Sequence, residues 1–87
     1  MTISRAEFLR LLPCAAVGYR LEENASGIRL VAEDGAIVIR LATLDDLRIG
    51  SLSLPRMRIA IHFENIAAPS RTAFLQRFDR SFQRGGG

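Results

Sequence analysis

Apolar and polar positions change period twice along the chain, and the changes divide it into a helix, a run of strands and a second helix. Phe8, Leu9, Leu11 and Leu12 recur at helical spacing. Ser4 and Glu7 stand at the S-x-x-E spacing of a capping box, with Ile3 and Phe8 placed to form the hydrophobic staple. A helix is therefore predicted to start at Arg5, and Pro13 to end it near Leu12.

From Val17 the period becomes two. Val17, Tyr19 and Leu21 alternate with Gly18, Arg20 and Glu22, Asn24 to Gly27 supply turn residues, and Ile28, Leu30 and Ala32 mark a second strand. Asp34-Gly35 favours a two-residue type I′ hairpin, in which both central residues take positive φ, and Ala36 to Leu41 then returns as a third strand. That turn would set Leu30 opposite Ile39, Ile28 opposite Leu41, and Arg29 opposite Arg40 on the other face. Thr43 to Asp46 is a polar interruption, either one helical turn or a loop. Leu47 to Leu54 is expected as a fourth strand, with Gly50 shifting the alternation as a bulge or close backbone contact would. Pro55 reads as a turn or an edge bend, and Met57, Ile59, Ile61 and Phe63 mark a fifth strand. Pro69 suits the first position of a closing helix, whose buried stripe is Ala73, Phe74, Leu75, Phe78 and Phe82, with Gly85 as the stop.

The pattern is that of an α+β domain: an antiparallel β-meander of four to five strands with the N-terminal and C-terminal helices packed on one face, in the order α-β-β-β-β-β-α. Residues 1–84 are expected to form this single domain and residues 85–87 a flexible glycine tail. Composition agrees, since 87 residues with 48% hydrophobic and 24% charged positions suit one ordinary globular unit.

Charge adds one feature. All twelve basic residues are arginine, for a formal net charge of +3. The guanidinium fork suits carboxylate and phosphate partners. Equally, abundant Arg, Ala, Gly and Leu fit a GC-rich bacterial genome. Cys14 is the only cysteine, so no intrachain disulfide can form. Its neighbours Pro13, Ala15 and Ala16 predict a buried, inert thiol. The stretch Ser4 to Arg10 departs from a twin-arginine export signal because Ala6 takes the place of the second arginine, and Leu11-Leu12-Pro13-Cys14 departs from a lipoprotein signal because its apolar run is short. No window reaches membrane-spanning length, and a cytoplasmic location is expected.

The face opposite the helices would carry Arg20, Arg29, Arg40, Arg58 and His62, mixed with Val31, Val38 and Ala60. This is the candidate anion- or partner-binding surface. Glu22, Glu33 and Glu64 lie on the same face and can neutralise it instead. The first hairpin decides part of this, since a four-residue loop sets Arg20 opposite Arg29 and a shift of two residues sets Glu22 there. Arg77, Arg80 and Arg84 form a secondary basic stripe on the last helix, beside Asp79, which also reads as the outer face of an amphipathic helix.

Catalysis has little support in the sequence. His62 is the only histidine, no glycine-rich phosphate loop follows a strand, and the neighbouring carboxylates Glu22-Glu23, Glu33-Asp34 and Asp45-Asp46 do not converge. No enzyme activity, cofactor or metal site is expected. The element order resembles double-stranded RNA-binding domains, but only Ser70 and Arg71 stand where that family has a lysine-rich helix entrance. Tyr19 and Phe63 fall on the core face, away from where single-strand binders stack bases. Gly85-Gly86-Gly87 resembles the C-terminal Gly-Gly of ubiquitin-like sulfur carriers, which implies activation as an acyl adenylate, although in that family the tail follows a strand. The expected function is a small non-enzymatic binding module. Its partner is a protein or a second copy, met at the arginine-bearing face or at an exposed strand edge. Nucleic-acid or phosphate binding through the same arginines is the alternative, and a Gly-Gly carrier a third.

Overall fold

The structure, a computed structural model, describes residues 1–82. Two helices, α1 (Arg5–Ala15) and α2 (Ala68–Phe82), pack on one face of a four-stranded antiparallel sheet. Its strands are β1 (Arg20–Asn24), β2 (Gly27–Val31), β3 (Ala36–Ile49) and β4 (Leu52–Glu64), in the spatial order β1-β2-β3-β4. Phe8 and Leu12 of α1 and Phe74 and Phe78 of α2 close over Ile28, Leu30, Ile37, Ile39 and Met57. Phe74 meets Phe63 and Tyr19 edge-on, and Phe8 stacks on Phe82 at 4.8 Å.

The start of α1 follows its capping signal. The Glu7 N–H donates to Ser4 Oγ at 3.2 Å, and Ile3 and Phe8 are both buried. Its end does not follow the proline. Pro13 lies inside the helix, where it removes a single N–H while its φ is already helical, and the Ala16 N–H closes the last turn on the Leu12 and Pro13 carbonyls. The added turn carries Ala15 into the core and leaves Cys14 exposed, contrary to the buried thiol expected. A turn then follows, with the Tyr19 N–H bonded to the Ala16 carbonyl and Gly18 at φ +89, so β1 begins only at Arg20 and Val17 is 66% exposed.

The β2–β3 register differs from expectation by two residues. Arg29 stands opposite Val38, and Leu30 opposite Ile37, so the two arginines do not face each other. A slip of two keeps every side chain on its expected face. The cause is Gly35, which does not take positive φ. The Ala32 N–H donates to the Gly35 carbonyl, placing Glu33 and Asp34 at the tip. Glycine is needed there for room: a Cβ would overlap the Glu64 and Asn65 carbonyls, where the chain leaves β4, and Asn65 Nδ2 donates to the Asp34 carbonyl at 2.6 Å.

The expected fourth strand is two strand ends joined by a tight turn. Ile49 pairs with Leu52, and Gly50, at φ +59, opens the Gly50-Ser51 loop as the first residue of a type II′ turn requires. The sheet therefore has four strands, the lower of the expected four to five. The polar interruption is neither helical turn nor loop but a bulge, because Leu44 pairs with Arg56 and Leu47 with Leu54, leaving Asp45 and Asp46 opposite Pro55 alone. The Met57 N–H and carbonyl both bond Met1, so they point away from β3, and alternation puts Pro55 on that same outward side. Its missing N–H therefore costs no ladder bond. Beyond Leu41 the β3–β4 pair continues alone as a two-stranded ribbon, and the molecule is 47 Å long by 28 and 18 Å.

At the other end, α2 opens one residue before Pro69, and the Arg71 N–H bonds the Ala67 carbonyl. Proline is as free at the second helical position as at the first, since no early N–H has an intrahelical acceptor. Leu75, expected in the buried stripe, is 40% exposed. Arg84, the Gly85 stop and the glycine tail lie outside the described residues.

Candidate functional site

Strand alternation builds the face opposite the helices. Because Met57 is buried among the helices, residues 58, 60, 62 and 64 of β4 point the other way, and the pairing extends that face across the sheet. All five candidate residues, Arg20, Arg29, Arg40, Arg58 and His62, fall on it, and all are exposed. They divide into two groups by their neighbours.

The first group is neutralised. Arg20 pairs with Glu22 at 2.9 Å along β1, and Glu22 stands directly opposite Arg29. Arg29 reaches past β3 to Glu64 of β4 at 3.0 Å. The first hairpin thus adopts the register that brings an acid to Arg29, with Asn24 Oδ1 accepting from the Ser26 and Gly27 N–H groups to hold a two-residue loop. His62 lies opposite Val38 in the row that holds Glu22 and Arg29.

Arg40 and Arg58 form the second group. Arg40 lies between Gly27 and Ala60, and Arg58 lies opposite Ala42, which puts the two guanidinium-bearing residues diagonally across β3 and β4. Among the described residues neither has an ion pair or a side-chain hydrogen bond. Arg56, next along the same face, is held by the bulge, its Nε donating to the Asp45 carbonyl at 2.8 Å.

Sequence reasoning missed what continues this second group. The extra residue at the bulge reverses the alternation of β3, so Leu44 before it and Leu47 and Ile49 after it share the face of Arg40, and Leu52 and Leu54 join them from β4. Five aliphatic side chains thus line the ribbon on the side away from the helices. Ile49 is 57% and Leu52 59% exposed. The reverse side of the ribbon carries Arg48 and Ser53, the latter hydrogen-bonded to Asp46 at 2.7 Å. Past the bulge the ribbon is therefore apolar on the uncovered face and polar on the helix side, the inverse of the sheet it grows from. The signal was present: Asp45-Asp46 on one side of Gly50-Ser51 and Pro55 on the other mark a two-against-one bulge.

The secondary stripe separates too. Arg77 is half-buried and donates from Nε to the Ala15 carbonyl at 3.2 Å, which occupies it at the C-terminal end of α1, while Arg80 is exposed. Glu22 and Glu23 diverge, the second meeting Arg5 on the helix side at 3.4 Å. Among the described residues no polar side chain is buried, no three potential metal ligands gather, and no helix is long and apolar enough to cross a membrane. No family model, curated protein or solved structure matches the chain.

Proposed function

We propose that the protein is a small non-enzymatic binding module that takes a protein partner on its open sheet face. One observation carries this reading: Arg40 and Arg58, without an ion pair among the described residues, border an aliphatic ribbon of Leu44, Leu47, Ile49, Leu52 and Leu54 that turns away from the protein's own core. Exposed apolar side chains gathered on one face mark an interaction surface. Unpaired arginines beside them select a partner that brings carboxylates next to its own apolar residues. Nucleic acid fits the arginines but not the leucines, and the protein's ring pairs lie on the helix-covered side, where they pack against one another.

The test is co-purification of the tagged protein from its host, with and without nuclease, beside the variants Arg40→Glu and Leu52→Asp. A protein partner that survives nuclease and is lost from both variants supports the reading. Recovery of nucleic acid that Arg40→Glu abolishes and Leu52→Asp leaves untouched favours the phosphate-binding alternative.

A further inference from the structure

The edge of β4 is the second uncovered feature, and it stands apart from the open face. Sheet edges are normally protected by proline, bulges, charge or a covering segment. On β4 these devices sit at one end: Pro55 faces the bulge, and Met1 occupies the outward N–H and carbonyl of Met57. Past Met57 proline, bulge and covering segment stop, and the charges that remain, Arg58 and Glu64, are of opposite sign. Alternation turns the peptide groups of Ile59, Ile61 and Phe63 outward like those of Met57, and among the described residues they have no backbone partner. At the far end Asn65, at φ +54, bends the chain towards α2. The free edge is therefore residues 58–64, centred on Ile61.

We infer that two copies of the chain join at this edge, β4 against β4 in antiparallel fashion about a two-fold axis at Ile61, to form one continuous eight-stranded sheet. The register follows from the free stretch itself. Ile61 pairs with Ile61 of the second copy and Ile59 with Phe63 of the second copy, all on the helix-covered face. On the open face Ala60 meets His62 of the second copy, and Arg58 meets Glu64 of the second copy. The charges match twice by symmetry. Arg58, which has no acidic partner among the described residues, gains one, and Glu64 holds an arginine on each side because Arg29 already meets it at 3.0 Å. Moving the axis to Ala60 would set Arg58 against His62 and require Met57 to leave Met1. Moving it to His62 would set Glu64 against Ala60. Charge and the Met1 contact select the same register.

The inference takes Arg58 from the open face but does not rest on that reading, because Arg40 and the aliphatic ribbon remain uncovered in the pair. Sedimentation equilibrium of the whole chain should give twice the 9.6 kDa chain mass as concentration rises. The register is read by mixing two single-cysteine variants, Arg58→Cys and Glu64→Cys, each carrying Cys14→Ser, under copper-catalysed air oxidation. Directly opposed residues of this kind lie about 4.5 Å apart at Cα, within disulfide reach. Two copies of Arg58 would lie roughly 20 Å apart, six residues at the strand rise. Cross-linked dimer should therefore form in the mixture and not with Arg58→Cys alone, with unchanged far-UV circular dichroism confirming the fold. A single-chain mass at every concentration overturns the edge pairing, and so does a doubled mass with no cross-link in the mixture. Loss of partner capture by Arg40→Glu or Leu52→Asp is a separate measurement, so failure here leaves that one standing.

Discussion

Arg29 of β2 and Glu64 of β4 meet at 3.0 Å across the intervening strand β3, and with Glu22 opposite Arg29 they neutralise one end of the open face. Both side chains are nearly half exposed, at 45% and 44%. An ion pair so wetted is worth about 0–1 kcal/mol, so Arg29→Ala should shift the urea midpoint only slightly, and added salt should shrink the difference further. A loss of several kcal/mol would mean that the pair is far better shielded than its exposure shows.

Gly35 and Gly50 should fail differently when changed to alanine. At Gly35 a Cβ overlaps backbone carbonyls of Glu64 and Asn65, which cannot yield like a flexible side chain, so the cost should be roughly 1–3 kcal/mol as in other overpacked sites. At Gly50 there is open space and only the positive φ resists, a cost of roughly 1–2 kcal/mol. Thermal unfolding of the two variants compares them. Asn65→Ala, which frees the Asp34 carbonyl, should destabilise in the same direction as Gly35→Ala.

Cys14 should react fully in the folded state. Its exposure predicts that a disulfide reagent titrates one thiol per chain without denaturant, at a rate unchanged by sub-denaturing urea. Protection until unfolding would contradict the extra turn of α1 past Pro13.

Ile49→Ser and Leu52→Ser should leave folding stability within about 0.5 kcal/mol of the parent, as exposed positions do, whereas Phe74→Ala should lose roughly 3–5 kcal/mol because the side chain is fully buried against Tyr19, Phe63 and Phe78. Denaturant midpoints separate the classes. Substantial destabilisation by the ribbon variants would make Ile49 and Leu52 part of the core.

What the sequence made legible was face, and what it hid was pairing. Alternation placed Arg20, Arg29, Arg40, Arg58 and His62 together because period two survives any slip of two residues. Partnering of the arginines depends on register, and register depended on turns. Asp34-Gly35 looked like a type I′ turn, but the demand on Gly35 comes from Asn65, thirty residues later in the chain and invisible to local reasoning. Likewise Asp45-Asp46 reads as an interruption because its counterpart, Pro55, lies on the far side of the Gly50-Ser51 turn, which the apolar run from Leu47 to Leu54 conceals. The common face of Leu44, Leu47, Ile49, Leu52 and Leu54 exists only because Gly50 turns the chain and the bulge reverses the alternation of β3.

The most direct test of the open face is backbone hydrogen exchange on the protein alone and with its captured partner. Added protection should concentrate in β3 and β4 around residues 40–58, with the exposed side of α2 around Arg80 unchanged. Protection confined to α2, with the ribbon exchanging as before, would contradict the assignment of the partner surface to the sheet.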